Sequence, residues 1–285
     1  MKKRVAGVQT KVTFADTQAN LATIKRWLAD PQLEGCSLVV FPECMLSGYC
    51  YDSLDEAWPH AQSVPGSATD ELTEVCKTQN RFVAFGLLEK NDQGELYNSC
   101  ALVGPNGLVG VYRKVHLPYL GIDRFVTRGR EAYTVHEIDG LRVGMHICYD
   151  GSFPESARVM ALQGADLLIL PTNWPPGAET FAKYLPNARA LENNVYYLTV
   201  NRVGNERGFR FIGQSRLCDT NGNSMSDGPV EGEAIISGEV DVLQARNKRL
   251  VRVPGKHVID RMADRCPEYY SLIAQPHNLV RDVRP

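Results

Sequence analysis

Short apolar runs, rich in β-branched residues, alternate along this chain with longer segments that carry apolar residues on one face. The runs at 5–9 and 38–41 predict strands, and residues 17–30 between them predict an amphipathic helix. The second half repeats the pattern, with a strand predicted at 165–170 and a helix at 179–193. Such alternation is typical of an α/β fold in which helices cover sheets.

A further strand is predicted at 141–148, and the segment from Ser152 to Glu155 after it predicts the start of a helix. Ser152 suits the Ncap position, and Glu155 three residues later completes a capping box. The sequence therefore places Cys148 between the end of a strand and the beginning of a helix.

No low-complexity linker or block of like charge divides the 285 residues, so we predict one domain. A domain of this size buries roughly three quarters of the surface of its unfolded chain and needs no disulfides or structural metal. The last stretch, 251–285, has weak periodicity and many charges. We expect this extension to pack at a subunit interface.

Lys and Arg together number 31 and Asp and Glu 33, which gives a formal net charge of -2. This balance argues against nucleic acid or an acidic membrane as a partner. No window approaches about 20 uninterrupted apolar residues, the length that crosses a membrane. The 8 cysteines include no CxxC pair, which disfavours a zinc site. We predict a reduced, cytoplasmic protein that uses no metal and no cofactor.

Three predicted strands end in residues that can carry chemistry, namely Glu43, Lys114 and Cys148. Strand ends in α/β folds border the crevice where ligands bind. Taken singly, a glutamate or lysine at a strand end is usually a solvated surface group, and a cysteine is more often packed than reactive. A thiol has a pKa of about 8.5 and needs a neighbouring base or cation to act as a nucleophile. Spacing alone does not bring these three residues together.

His146 is an alternative base for Cys148, because residues two apart on a strand point to the same face. We favour the interpretation that His146 is a packed, hydrogen-bonded histidine. A zinc site built on His146 and Cys148 lacks an evident third and fourth ligand.

Three segments carry the strand-end residues: Phe41–Tyr49 (FPECMLSGY), Tyr112–Pro118 (YRKVHLP) and Ile147–Arg158 (ICYDGSFPESAR). They resemble the motifs of the nitrilase superfamily, the carbon-nitrogen hydrolases, and the order Glu, Lys, Cys along the chain matches as well. The resemblance covers about residues 3–245. It is specific for the family and weak for the individual substrate.

The resemblance implies an α/β fold of the nitrilase type, a four-layer α-β-β-α sandwich, with a hydrolase domain at 1–250 and a C-terminal extension at 251–285. It implies that Glu43, Lys114 and Cys148 form a catalytic triad that cleaves an amide through a cysteine thioester. The substrate would be a small molecule of the amide type. The resemblance also suggests a homodimer or a larger homo-oligomer.

Four residues are candidates for contacting the substrate: Tyr49, Tyr149, Asn173 and Trp174. The backbone N–H of Tyr149 would be a second donor to the oxyanion, beside the lysine. Asn173 and Trp174 follow the strand after the nucleophile helix and would wall the pocket. Packing is the alternative for Tyr49, and a rigid turn is the alternative for Trp174. The polar run at 201–210 could close over the site, but a solvated loop is the default interpretation.

Members of the family often have a second glutamate shortly after the catalytic lysine. Here the first acid after Lys114 is Asp123, and the next is Glu131. We interpret Asp123 as a shorter carboxylate that stands in for this glutamate and adds a fourth catalytic residue. One alternative is that Asp123 is a loop residue that braces its own backbone. The other is that Glu131 is the fourth acid.

The leading hypothesis for function is a hydrolase that converts an amide to a carboxylic acid and ammonia or an amine. The same triad would serve a nitrilase or an N-carbamoyl-amide hydrolase. An acyltransferase, in which an amine intercepts the thioester, often carries membrane segments in this family. A catalytically silent scaffold on the same fold is disfavoured by the intact triad residues.

Overall fold

Two facing β-sheets form the centre of the computed structural model, which describes residues 1–276. Along the chain the strands are β1 (Lys2–Gln9), β2 (Leu38–Val40), β3 (Phe82–Lys90), β4 (Leu96–Gly104), β5 (Gly107–Arg113), β6 (Val135–Ile138), β7 (Leu141–Met145), β8 (Leu167–Thr172), β9 (Tyr196–Asn201), β10 (Val203–Glu206), β11 (Phe209–Ile212), β12 (Arg216–Cys218), β13 (Ser224–Asp227), β14 (Ala234–Asp241), β15 (Arg249–Val253) and β16 (His257–Asp260). The α-helices are α1 (Thr17–Leu28), α2 (Leu54–Ala57), α3 (Ser67–Gln79), α4 (Pro154–Leu162), α5 (Glu179–Asn193) and α6 (Val242–Arg246).

The two large sheets share one plan of strand pairing. The first has the order β14-β1-β2-β3-β4-β5 and the second the order β13-β12-β9-β8-β7-β6. Strands β1, β2 and β3 are parallel in the first sheet, as are β7, β8 and β9 in the second. The strands that flank them pair antiparallel. Each sheet therefore collects the loops that follow its parallel strands at one edge.

Side chains alternate between the two faces of each strand, as the pleat requires. Val5 and Val40 belong to a core that the first sheet shares with the second. Their chain neighbours Ala6 and Val39 belong to a separate core with α1 and α3. Helices α4 and α5 cover the second sheet. The layers are thus helix, sheet, sheet and helix, and the predicted four-layer α-β-β-α sandwich is confirmed.

The predicted Ncap at Ser152 is wrong. Residues Cys148–Ser152 form a 3₁₀ turn, and α4 begins only at Pro154, with Phe153 as its Ncap and no side-chain cap bond. Ser152, which the capping box places at the start of the helix, belongs to the 3₁₀ turn instead. Pro154 at the first helical position has no N–H that needs a cap.

The segment after residue 248 forms a β15–β16 hairpin and two short 3₁₀ turns, and most of its residues are exposed. The domain boundary at 250 and the packing of 251–285 on a partner stay predictions, and 277–285 lies outside the described residues. Within residues 1–276, no helix is both long and apolar enough to cross a membrane. All eight cysteines are free thiols, of which seven are buried and Cys266 is exposed.

Candidate active site

Glu43 and Lys114 lie in the loops after β2 and β5, and Cys148 is the first residue of the 3₁₀ turn that follows β7. The Glu43 loop packs directly on β3. A Cβ atom on Gly86 would lie 2.3 Å from the backbone N of Cys44 and 2.6 Å from the Cα of Glu43. Real Cβ atoms do not approach backbone this closely, so glycine at position 86 is what lets the loop sit against the sheet.

Lys114 is the centre of a buried cluster of charges. Its Nζ lies 2.6 Å from Oε1 of Glu43 and 2.6 Å from Oδ2 of Asp123, and all three side chains are fully buried. The hydroxyl of Tyr49 donates to the same Asp123 oxygen at 2.7 Å. One cation between two carboxylates holds its place in a dry interior only if further hydrogen bonds satisfy the remaining atoms.

Asn98 supplies such hydrogen bonds and was missed by the sequence analysis. Its Nδ2 donates to Oε1 of Glu43 at 2.7 Å and to Oδ1 of Asp123 at 2.9 Å. Asn98 lies in β4, a strand in which every residue is buried. A buried amide requires partners, so an asparagine inside a largely apolar strand was the available signal.

The two carboxylate oxygens of Glu43 differ in their hydrogen bonds. Oε1 accepts from Lys114 and Asn98, whereas the buried Oε2 has no hydrogen-bond partner within residues 1–276. Burial raises the pKa of Glu43 against the opposing charge of Lys114, and the negative charge of Asp123 adds to the rise. A carboxylate with a raised pKa and a free oxygen is suited to accept a proton.

Cys148 sits at a strained point of the backbone. Its φ of +46° lies in the left-handed region, which costs a non-glycine residue about 1–2 kcal/mol. Strain of this kind concentrates at functional sites. The residue as a whole is 9% exposed.

Burial leaves the thiol of Cys148 protonated at neutral pH. Burial raises the pKa of Cys148 to about 12, and the charge of Glu43 adds to the rise. Lys114 acts in the opposite direction. The Thr172 hydroxyl and the backbone N–H of Asn173 also lower the pKa of Cys148. A thiol in this state becomes a nucleophile only when a base removes its proton.

Lys114 remains a cation in this site. Burial alone would lower its pKa, but the carboxylates of Asp123 and Glu43 raise it well above the usual value of a lysine. The ammonium is thus a fixed positive charge near the sulfur, and it can stabilise negative charge that develops there.

His146 has both ring nitrogens occupied away from the sulfur. Nδ1 lies 3.0 Å from the Ser156 hydroxyl and Nε2 lies 2.8 Å from the Tyr197 hydroxyl. Burial lowers the pKa of His146 to about 4, so the ring is neutral at pH 7. His146 is therefore a packed, hydrogen-bonded histidine. Across residues 1–276, no group of three or more His, Cys, Asp or Glu side chains could hold a metal ion.

The four candidates for substrate contact lie in different settings. Tyr49 is buried, and its hydroxyl bonds to Asp123. Tyr149 is 38% exposed, with its ring edge against Phe153. Trp174 is buried, and its backbone bonds to neighbouring strands. Both polar side-chain atoms of Asn173 are buried and without a partner in the described part of the chain.

Glu131 lies outside the buried cluster. Its carboxylate is largely exposed and pairs with Arg113 at 2.7 Å. Of the two acids considered for the fourth position, only Asp123 contacts Lys114.

The polar run at 201–210 is largely a hairpin, β10 with β11, and not a solvated loop. Oε1 of Glu206 accepts from the backbone N–H groups of Tyr49 and Cys50, both at 2.7 Å. Glu206 is itself buried and pairs with the buried Arg202 at 2.6 Å. The hairpin thereby fixes the loop that carries Tyr49.

Comparisons with known proteins identify the family of the chain. Residues 4–249 match the model of the carbon-nitrogen hydrolase family. The chain is 35% identical over 271 residues to a nitrilase of Pyrococcus abyssi, covering 94% of this chain and 98% of that one. It is 28% identical over 250 residues to the omega-amidase of Homo sapiens, covering 84% and 88%.

Solved structures show the same fold. An amidase from Nesterenkonia sp. superposes with a TM-score of 0.77 at 22% identity, covering 95% of this chain and 96% of that chain. The family model spans most of the sequence, and the relative of Pyrococcus abyssi matches over nearly its full length. The chain therefore belongs to the carbon-nitrogen hydrolase family and is a hydrolase of that kind.

Proposed function

We propose that the protein hydrolyses a small carboxamide to a carboxylic acid and ammonia or an amine, through a thioester on Cys148. The observation that carries this proposal is the free oxygen of Glu43. In a cluster that otherwise satisfies its carboxylate atoms, Oε2 is buried and unpaired within residues 1–276. A thiol with a pKa of about 12 needs such an acceptor for its proton.

In the acylation step, Sγ of Cys148 attacks the carbonyl carbon of the amide while Glu43 takes the thiol proton. The carbonyl oxygen becomes an oxyanion, and the Lys114 ammonium and the backbone N–H of Tyr149 stabilise it. The C–N bond then breaks, and Glu43 returns its proton to the departing nitrogen. Ammonia or an amine leaves, and a thioester remains on Cys148.

In the deacylation step, Glu43 acts as the base a second time. It removes a proton from water, the resulting hydroxide adds to the thioester carbon, and Lys114 again stabilises the oxyanion. The C–S bond breaks, the sulfur regains a proton from Glu43, and the carboxylic acid departs. Asp123 and Asn98 hold Lys114 and Glu43 in place during both steps.

The substrate pocket is proposed to include Asn173, Trp174, Tyr149 and the loop of Tyr49. The unpaired amide of Asn173 supports this, because a buried donor or acceptor without a partner costs about 1–3 kcal/mol and a bound polar group would satisfy it. The residue also acts on the nucleophile, since its backbone N–H lowers the pKa of Cys148.

Named relatives support an amide as the substrate class. Several curated relatives are omega-amidases. One variant of the Nesterenkonia sp. amidase was solved in complex with butyramide, and another carries the acetamide moiety of fluoroacetamide on its active-site cysteine. The nitrilase relative makes nitriles the second class to test.

Ammonia release from a panel of aliphatic amides, N-carbamoyl amino acids and nitriles tests the substrate class. The proposal expects at least one amide to be turned over with a higher kcat/KM than the matching nitrile or carbamoyl compound. Faster turnover of nitriles, or no turnover of amides at all, would contradict it.

Substitution of Asp123 by asparagine should lower kcat/KM by at least about tenfold without lowering the melting temperature. Losing a charge-assisted hydrogen bond in a dry site costs about 1.5–3 kcal/mol, which corresponds to about a tenfold to hundredfold loss of rate. The fold should tolerate the change, because Glu43 and Lys114 remain as a neutral pair.

The same variant should move the acid limb of the pH profile of kcat/KM to lower pH. The charge of Asp123 raises the pKa of Glu43, so removing that charge lowers this pKa. Glu131→Gln is the matched control, because it removes an exposed carboxylate that, within residues 1–276, pairs with Arg113 and the backbone of its own turn and not with Lys114. If Glu131→Gln lost most of its kcat/KM and Asp123→Asn kept the kcat/KM of the parent, the assignment of the fourth acid would be wrong.

Two further properties stay predictions. We propose a homo-oligomer, and exposed apolar side chains on α4 and α5 support it: Val159, Leu162, Phe181, Tyr184 and Leu191. Contiguous exposed apolar surface marks interaction sites in soluble proteins. A cytoplasmic location is proposed on the reduced state of the eight cysteines.

A further inference from the structure

Asp150 is a fully buried carboxylate close to the nucleophile in sequence, and the hydrolytic steps above do not use it. Four donors converge on its two oxygens. Oδ1 accepts from the backbone N–H of His116 at 2.9 Å and from His116 Nδ1 at 2.7 Å. Oδ2 accepts from the Tyr112 hydroxyl at 2.8 Å and from the backbone N–H of Ile147 at 2.9 Å.

These donors come from the two segments that carry Lys114 and Cys148. His116 lies two residues after Lys114, and Ile147 immediately precedes Cys148. The side chain of Asp150 thus ties the lysine loop to the turn that holds the thiol. Its main chain also closes that turn, because the Asp150 N–H donates to the Ile147 carbonyl at 2.9 Å.

His116 is held in one orientation by this arrangement. The oxygens of an ionised carboxylate only accept hydrogen bonds, so Nδ1 of His116 carries the proton. The ring also stacks on Phe153, with centroids 3.7 Å apart and planes 12° from parallel. The carboxylate stays ionised. Burial opposes this, but the hydrogen bonds from His116 and the Ile147 N–H lower the pKa of Asp150.

We infer that Asp150 is a positioning residue that sets the Lys114 ammonium relative to the Cys148 sulfur, with His116 as its principal partner. This inference rests on the proposed function, in which those two groups act together. Cys148 occupies a strained backbone conformation, which persists only if surrounding contacts hold it. A misplacement of about 1 Å between reacting groups can cost about a hundredfold in rate.

Alkylation of Cys148 by iodoacetamide tests the inference without any substrate. The rate is followed by intact-protein mass spectrometry in a Cys266→Ser background, since Cys266 is the exposed thiol. Asp150→Asn and His116→Ala should each lower the alkylation rate and kcat at least about tenfold, with little change in KM. His116→Asn should stay within about threefold of the parent, because its amide can donate from nearly the position of Nδ1.

Asp166→Asn is the matched control. Asp166 is also fully buried and accepts from a backbone N–H and from an arginine, Arg246, away from the catalytic cluster. It should lose stability without losing thiol reactivity. If Asp150→Asn does not fold, the two His116 variants decide the question.

Parental alkylation and kcat in His116→Ala would overturn the inference. So would an equal loss in His116→Asn, because the ring stack on Phe153 and not the hydrogen bond would then matter. These outcomes are separate from a failure of the proposed function, which would show as amide turnover in Cys148→Ala.

Discussion

Substitution of Cys148 by alanine should abolish amide turnover, with a loss of at least about 10⁴-fold in kcat. No thioester can form without the sulfur, and the remaining Glu43–Lys114 pair would have to activate water directly on an unactivated amide. The fold should persist, because the change removes only the sulfur of one side chain and leaves the buried charge cluster intact. Ammonia release measures the loss, and thermal melting checks the fold.

Cys76→Ala is the matched control for this substitution. Cys76 is also a buried free thiol, but it lies in α3, in the core between that helix and the first sheet. Cys76→Ala should lower the free energy of unfolding by an amount of the same order as Cys148→Ala does. It should leave kcat unchanged. If Cys148→Ala retained kcat within about tenfold of the parent, the nucleophile would have been misassigned.

Substitution of Glu43 by glutamine should lower kcat/KM by about 10²–10⁴-fold, the usual range for the loss of a general base. Glutamine keeps the shape and an oxygen to accept from Lys114 and Asn98, but it cannot take the thiol proton. The fold is expected to remain, although Lys114 then has Asp123 as its only charged partner among the described contacts. Steady-state kinetics and thermal melting measure the two effects.

The pH profile provides the second readout for Glu43. In the parent, kcat/KM should fall as pH falls through the pKa of Glu43, because only the ionised carboxylate accepts the proton. Burial raises that pKa, so the acid limb should lie above the pH at which an ordinary glutamate titrates. Glu43→Gln should lose this limb from its residual activity. A variant with an unchanged limb would assign the base to another group.

The alternation of strands and helices can be predicted from the sequence, because the apolar residues recur with the period of the buried face of each strand or helix. The predicted helix 179–193 has the bounds of α5, and the structure shows Asn194 ending it in the left-handed conformation. The prediction of Ser152 as the Ncap was wrong for a local reason. The 3₁₀ turn at Cys148–Ser152 has no periodicity of its own, and the sequence of a capping box does not reveal that a turn precedes it.

The site residues also fall into two groups, those that sequence motifs reveal and those that only tertiary contacts reveal. Glu43, Lys114 and Cys148 were found through motifs, yet nothing in their spacing showed that strand ends of different segments meet. Asn98 was missed because its function depends on the pairing of β4 with its neighbours, which places its amide between two carboxylates. The frequent charges of the 201–210 run favour a solvated loop. Burial of Arg202 and Glu206 as a pair is a tertiary effect that composition does not encode.

The central claim is that the reaction passes through an acyl group on Cys148, and intact-protein mass spectrometry tests it most directly. The parent is mixed with a slow amide substrate and quenched in acid during turnover, and a peptide map then locates any added mass. The account predicts a gain equal to the acyl group on the peptide that contains Cys148, with no gain in Cys148→Ala. Turnover with Cys148 unmodified throughout, or an acyl group on another residue, would contradict it.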